Sequence, residues 1–473
     1  MNKCDLAFLS IAELARLFRL RKLSPVELTK HFLARIERHN PEWNAYLTVT
    51  AELALSQAKK AEAELFAPRT GKARRDRGPL HGIPLALKDN IYTAGIRTTS
   101  GAKFLHDFVP GRDAHLVTKL KSAGAILLGK TNLHEFAYGV TTNNPHYGAT
   151  RNPWDAARIP GGSSGGAAAA VAAGLCVAAV GTDTGGSIRI PASLCGVVGF
   201  KPTLHRVSVE GIVPLSPTLD CAGPLARSVE DAALLFDAIA DLRKQEPPLS
   251  KSLASHRKTK FTLGIPKEFF FDVLSPEVQD SFESTLKTLR KRGWKMKEIS
   301  IPLLNNTETA GNNIAWAEAA HYHQKMGWFP KNSAEYGEDV RARLEIGARV
   351  TATAYLEAMD QREKFIAQFH AALAEANVDA LAVPTTPIPA PPIGEESTTI
   401  NGKDHAIRAL LLRLNRPANL AGLPAISIPC GLTSSGLPLG FQLIGTTSSD
   451  SMLVSISHGV ENIVSTIGTS PNE

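Results

Sequence analysis

From Gly161 to Arg189 the chain reads Gly-Gly-Ser-Ser-Gly-Gly, then the small apolar run Ala167–Val180, then Gly-Thr-Asp-Thr-Gly-Gly-Ser-Ile-Arg. The run holds 14 residues, one of them Gly174. That is too short for a bilayer span, which needs about 20 apolar residues. It suits a buried helix leading into a strand. The glycines on either side let backbone approach backbone closely, because they lack Cβ and tolerate positive φ. A fold containing this unit must therefore bring two backbone-rich loops to the ends of a buried helix and strand.

The flanking sequence alternates in the same manner. Ile83–Leu87 reads as a short apolar strand ending in Lys88-Asp89-Asn90. His115–Gly124 reads as a helix, Ala125–Leu128 as a strand and Val229–Ala240 as a helix capped by Ser228. This alternation predicts an α/β fold. Upstream, Ser10-Ile-Ala-Glu13 is a capping box, and Ser24 with Pro25 opens a helix that Asn40 and Pro41 should stop. Ala51–Leu65 is a further helix and Pro68–Gly78 a charged surface loop. Asp241–Phe261 is a polar, Lys-rich excursion. Beyond it come a strand at Phe261–Ile265, a helix at Ser275–Arg292 and a strand at Trp294–Ile299. Long helices are expected at Asn313–Met326 and Glu338–Asn377, then an extended loop at Val383–Ile393 carrying five prolines. Strands return at Leu423–Cys430 and Leu439–Ile444. Strand material near both ends, with no internal repeat, argues for one sheet closed by the whole chain. The expected organisation is N-terminal helices over about 1–65, a core over about 80–240, a variable helical region over about 300–380 and a return to the sheet over about 417–445.

At 473 residues and roughly 150 per domain, length alone allows two or three domains or one large α/β unit. With 43% hydrophobic residues, 21% charged and mean hydropathy −0.07, the chain is neither disordered, collagenous nor a polytopic membrane protein. A net charge of +7 over this length is mild, and its basic clusters read as solvated surface, so no nucleic-acid or membrane partner is expected. Cys4, Cys176, Cys195, Cys221 and Cys430 are widely spaced and include no Cys-x-x-Cys. With no charged-then-apolar leader at Met1, free thiols and a cytoplasmic location are the expectation.

Two local patterns look functional and fail on physics. Gly124–Thr131 fits G-x-x-x-x-G-K-[ST], yet its middle residues are Ala-Ile-Leu-Leu, a buried strand rather than a loop of N–H groups facing a phosphate. Gly162–Gly166 fits G-x-S-x-G around Ser164, but Pro160 and Gly161 precede it instead of an apolar strand. The only histidines after Asn401 are His405 and His458, neither in a distinctive setting for a hydrolase triad.

A distributed set does better. Lys88 ends an apolar strand, Ser163 lies in the first glycine cluster and Ser187 in the second. Acyl transfer needs a serine that loses a proton, a base and several N–H groups aimed at one oxyanion. A lysine serves as base once burial lowers its pKa toward neutrality. Thr184-Gly-Gly-Ser187 can supply the N–H nest.

These segments resemble the signature of the amidase signature family of Ser-Ser-Lys amidohydrolases. The resemblance extends over Gly82–Asn90, Gly129–Asn132, Cys195–Pro202, Pro417–Pro424 and Gly436–Gly445, in family order along nearly the whole chain. It implies one α/β domain, a large mixed central β-sheet covered by helices on both faces. It implies Ser187 as nucleophile, Ser163 as relay after a cis Gly162–Ser163 peptide, and Lys88 as general base. The oxyanion hole would be the N–H groups of Thr184, Gly185, Gly186 and Ser187, with Ser164, Asp183 and Arg189 as supports. No metal or organic cofactor is implied. The partner is a small-molecule amide, and a homodimer is compatible with this reading.

Within the family, Lys130–Phe136 and Thr150–Asp155 resemble the A subunits of glutamyl-tRNA(Gln)/aspartyl-tRNA(Asn) amidotransferases, which take ammonia from glutamine and pass it to a partner protein. Those proteins carry an acidic residue shortly before the Pro-Ala-Asn-Leu-Ala-Gly-Leu-Pro stretch, to hold the α-amino group. Here Leu411–Arg416 has no carboxylate. Arg343 stands where a carboxylate-binding arginine would lie, and Tyr138 is a candidate pocket residue. The sequence thus favours a free-standing amidase releasing ammonia or an amine, with a pocket lined mainly by apolar and neutral polar groups, over the amidotransferase reading.

Overall fold

The computed structural model describes residues 5–67, 76–241, 246–255 and 260–464. Cys4 and most of the loop expected at Pro68–Gly78 lie outside these. Among the described residues, eleven strands form one mixed sheet. They are β1 (Tyr46–Val49), β2 (Pro84–Lys88), β3 (Ile126–Thr131), β4 (Ala178–Asp183), β5 (Val198–Lys201) and β6 (Cys221–Ala226). Then come β7 (Thr262–Pro266), β8 (Lys295–Ile299), β9 (Ala380–Pro384), β10 (Ala425–Leu432) and β11 (Pro438–Ile444). The spatial order is β1-β3-β2-β4-β6-β5-β10-β11-β9-β7-β8. The β2–β3, β2–β4, β7–β8 and β7–β9 pairs are parallel and the rest antiparallel. Early and late strands meet where β5 pairs with β10, so one sheet runs through the whole chain.

The small apolar run does what its composition dictates. Helix Gly165–Ala172 is buried on every side and leads into β4. A Cβ on Gly166 would lie 2.4 Å from the Asn132 carbonyl oxygen and 2.6 Å from that of Ala45. Only glycine lets this helix start against the backbone beside β3.

Several boundaries move. The capping box at Ser10 forms as read. The helix opened by Ser24 continues through Pro41 to Trp43 and ends where Asn44 turns left-handed. Pro41 falls in the last turn, where one missing N–H is tolerated. The expected helix Glu338–Asn377 is two, Glu338–Gly347 and Ala352–Ala376, the second capped by the Thr351 side chain. The polar excursion contains the short helix Leu249–Ser255.

Strand β3 extends beyond Leu128 through Gly129-Lys130-Thr131, which disposes of the phosphate-loop pattern. Lys130 is fully buried. Its ammonium donates to the Ile91 carbonyl at 2.6 Å and Thr98 Oγ1 at 2.7 Å, and lies 3.5 Å from the Asp89 carboxylate. This lysine ties the loop after β2 to β3. Lys130→Met should leave Asp89 without its counter-charge in the core and lower stability by about 3–5 kcal/mol. Urea unfolding followed by circular dichroism checks this; an unchanged midpoint would make the pair incidental.

Candidate active site

The site forms at the carboxyl ends of the parallel strands β2 and β4, where open α/β sheets characteristically leave a crevice. Lys88, the last residue of β2, is fully buried, as are all the residues of its strand. Its Nζ lies 2.7 Å from Ser163 Oγ and 2.7 Å from Thr182 Oγ1 on β4. Burial lowers the Lys88 pKa from 10.5 to about 7, against the opposing pull of the Asp220 and Asp183 carboxylates. A side chain held so is a base at neutral pH.

Ser163 follows a cis Gly162–Ser163 peptide, as the resemblance implied. A Cβ on Gly162 would sit 2.8 Å from Thr141 N, so the loop lies flat against the Val140–Thr142 backbone. The next residue, Ser164, fastens this loop to the sheet: its hydroxyl donates to the Thr182 carbonyl at 3.1 Å and accepts from the Thr182 N–H at 3.3 Å. Its N–H also donates to the Ser187 carbonyl at 3.2 Å, which joins the two glycine clusters. Ser164 is buried and does not line the cleft, so the hydrolase-elbow reading fails on geometry as well.

Ser187 lies on the loop between β4 and helix Arg189–Cys195 and lines a cleft open to solvent. The loop is shaped by Asp183. Its carboxylate accepts from the N–H groups of Gly186 (2.8 Å) and Ile188 (3.1 Å) and from the Arg189 guanidinium (2.9 and 3.1 Å). Burial alone would raise the Asp183 pKa; Arg189, Lys201 and Asn419 overcome it and hold the carboxyl down at about 2. Arg189 in turn reaches Gln442 on β11 and Asn419, so the loop is bolted to the late half of the sheet. Asp183 and Arg189 are therefore supports in the geometric sense.

One expectation needs correction. The Gly186 N–H is already given to Asp183 and cannot also point at an oxyanion. Among the described residues no acceptor is found for the N–H groups of Thr184, Gly185 and Ser187, and those three residues line the cleft. Three N–H groups of this loop, not four, are left to face an oxyanion, because the Asp183 carboxylate holds that of Gly186.

Residues that the sequence did not single out complete the site. Thr182 is the second partner of Lys88. Asp220 accepts from the Thr184 hydroxyl and from the N–H groups of Leu215 and Ser216; burial raises its pKa to about 7. Nothing local to Asp220 in the sequence marks it, since strand pairing of β6 with β4 brings it there. Tyr138, Val140 and Trp316 line the cleft. Arg343 lies behind it, donating to the Tyr138 carbonyl and pairing with Asp339 at 2.8 Å. The cleft is lined mainly by apolar and neutral polar groups, as expected; its charged lining residues are Arg408 and Arg416, with Leu412 between them.

Among the described residues, no cluster suited to a metal ion occurs and no helix is long and apolar enough to cross a membrane. A family model described as Amidase matches residues 27–454. The chain is 39% identical to the A subunit of the glutamyl-tRNA(Gln) amidotransferase of Carboxydothermus hydrogenoformans, over 97% of each. A solved structure described as an amidase is similar with a TM-score of 0.88 at 34% identity, covering 96% of this chain and 100% of that one. The A subunit of the glutamyl-tRNA(Gln) amidotransferase of Thermotoga maritima gives 0.78 at 35% identity, over 97% of this chain and 95% of that one.

Proposed function

The chain belongs to the amidase signature family, and from that premise we propose that it hydrolyses a carboxamide C–N bond through an acyl-Ser187 intermediate, with glutamine as the amide and a partner protein receiving the ammonia. The chemical half of this reading rests on the 2.7 Å contact between buried Lys88 and Ser163 beside the free N–H groups around Ser187. Neutral Lys88 takes the Ser163 proton while Ser163 takes that of Ser187, whose Oγ attacks the carbonyl carbon. The N–H groups of Thr184, Gly185 and Ser187 face the oxyanion. On collapse the C–N bond breaks, and the proton returns through Ser163 to the leaving nitrogen. Water then attacks the ester, gives its proton back along the same route and frees Ser187.

The substrate half is supported by relatives 37–39% identical along nearly the whole chain, all of them A subunits of glutamyl-tRNA(Gln) amidotransferases. They favour the reading that the sequence ranked second. The free-standing amidase keeps one specific observation in its favour. Among the described residues no carboxylate lines the cleft to pair with an α-ammonium; Leu412 occupies that wall.

Ammonia release by the purified chain separates the two. Glutamine should be turned over, and added hydroxylamine should intercept the acyl-enzyme as γ-glutamyl hydroxamate. Ammonia from simple aliphatic or aryl amides with none from glutamine would move the assignment to a free-standing amidase and leave the catalytic set as it is.

A further inference from the structure

The cleft over Ser187 is apolar on one side, where Leu215, Leu219 and Trp316 line it, and cationic on the other. Arg408 and Leu412 are one turn apart on helix Ile407–Arg413, and Arg416 opens the next short helix, so all three share one wall. Arg416 is buried and donates to the Glu308 carbonyl and the Asn312 side chain, neither an acid group. Among the described residues Arg408 makes no hydrogen bond or ion pair, and its Nε is buried without an acceptor. Burial and the neighbouring Arg343 and Arg416 push its pKa down to about 9.

Asp339 is engaged by His134 and Arg343. Glu308 lines a second cavity together with Arg408 and Arg416, and its charge favours the cationic form of Arg416. Arg408 is the arginine left without a hydrogen bond or ion pair among the described residues. A guanidinium whose Nε is buried without an acceptor is unfavourable, and a ligand carboxylate is the group whose geometry matches its fork of donors. Arg408, with Arg416 beside it on one wall of the nucleophile's cleft, makes a built site for a negative charge.

The geometry points to a carboxylate subsite formed by Arg408 and Arg416, so that the amide taken carries an anionic carboxylate on its acyl part: a monoamide of a dicarboxylic acid, glutamine being one member. The placement on the acyl part rests on the proposed hydrolysis, because the leaving group of a primary amide is ammonia. Nothing on this wall favours a second, cationic group on the substrate. Glutaramate, which lacks the ammonium of glutamine, should therefore be at least as good a substrate.

The test compares glutaramate with butyramide, which lacks only the carboxylate. The wild-type chain should prefer glutaramate by roughly ten-fold or more in kcat/KM. Arg408→Gln should collapse that preference by roughly ten-fold through KM rather than kcat, and Arg408→Lys should restore part of it. Equal rates on the two amides, or a preference left intact in Arg408→Gln, would overturn the subsite. Calorimetric binding of glutarate to Ser187→Ala gives a readout that needs no turnover. Binding there that is lost on adding Arg408→Gln supports the subsite even if no amide is hydrolysed, a result that would sink the hydrolase reading alone. Absence of glutarate binding in a folded Ser187→Ala chain counts against the subsite.

Discussion

Ser187→Ala should lower kcat by roughly 10³-fold or more while the protein stays folded. The size follows from what one oxygen does. Without it no acyl-enzyme forms, and what remains is binding and the N–H groups of Thr184, Gly185 and Ser187, which position an amide but supply no nucleophile. The fold should be indifferent, because among the described residues no side-chain hydrogen bond of Ser187 holds the loop; Asp183 and Arg189 do. Far-ultraviolet circular dichroism and the urea midpoint check that point. A fluorophosphonate probe followed by peptide mapping should label Ser187. Labelling at Ser164 would contradict the assignment, since that hydroxyl is committed to Thr182 and buried away from the cleft. Ser163→Ala removes the relay and should lose less than Ser187→Ala if water can bridge to Lys88.

The chemistry of the site was more legible in the sequence than its selectivity, for a physical reason. Acyl transfer needs groups close in chain to features with strong local signatures: a strand end at Lys88, glycines beside Ser163 and a turn beside Ser187. Each of these constrains the backbone, so each leaves a pattern of residue types. The pattern of residue types leaves open that the Gly186 amide is held by Asp183, because direction, not composition, decides where an amide points. Gly186 has the φ that only its sequence identity hinted at, and the acceptor that captures it is Asp183 three residues earlier. The cleft wall is different in kind. Arg408, Leu412 and Arg416 lie more than two hundred residues from Ser187 and reach it only because β5 pairs with β10. Read as a segment, Leu411–Arg416 announces a missing acid; only packing reveals that Arg416, with Arg408 from the helix before it, faces the cleft while Arg413 turns to Asp272. Helix ends misread by a few residues, such as that at Pro41, show the same limit. Tertiary contacts carry an element past a local stop signal whose cost falls in a frayed final turn.

Lys88→Arg should lose about 10²- to 10⁴-fold in kcat/KM, the range of a lost general base. The argument is about protons rather than charge. Arginine keeps a cation at the end of β2 but cannot deprotonate, so it cannot accept the proton relayed from Ser187. In the native chain burial brings the Lys88 pKa to about 7. The working form is the neutral one, so kcat/KM should rise with pH through neutrality and hold into the alkaline range. Lys88→Arg should be flat over that range at its residual rate. Wild-type activity in that variant would remove Lys88 from the mechanism. The limb also depends on Asp220, whose carboxylate favours the charged lysine and whose own pKa burial raises to about 7. The two titrate as a pair, so the measured value belongs to both. Asp220→Asn removes the negative charge and keeps an oxygen for the Leu215 and Ser216 N–H groups, its NH2 then donating to the Thr184 hydroxyl. With less to hold its proton, Lys88 should lose it at lower pH, and the acid limb should move toward the acid side. An unmoved limb with lowered kcat would make Asp220 a support of the Thr184 loop and nothing more, with Lys88 tuned by burial and Asp183 alone. A limb moved to higher pH would contradict the sign of the coupling, and Asp220 could then not be the group that holds the proton on Lys88.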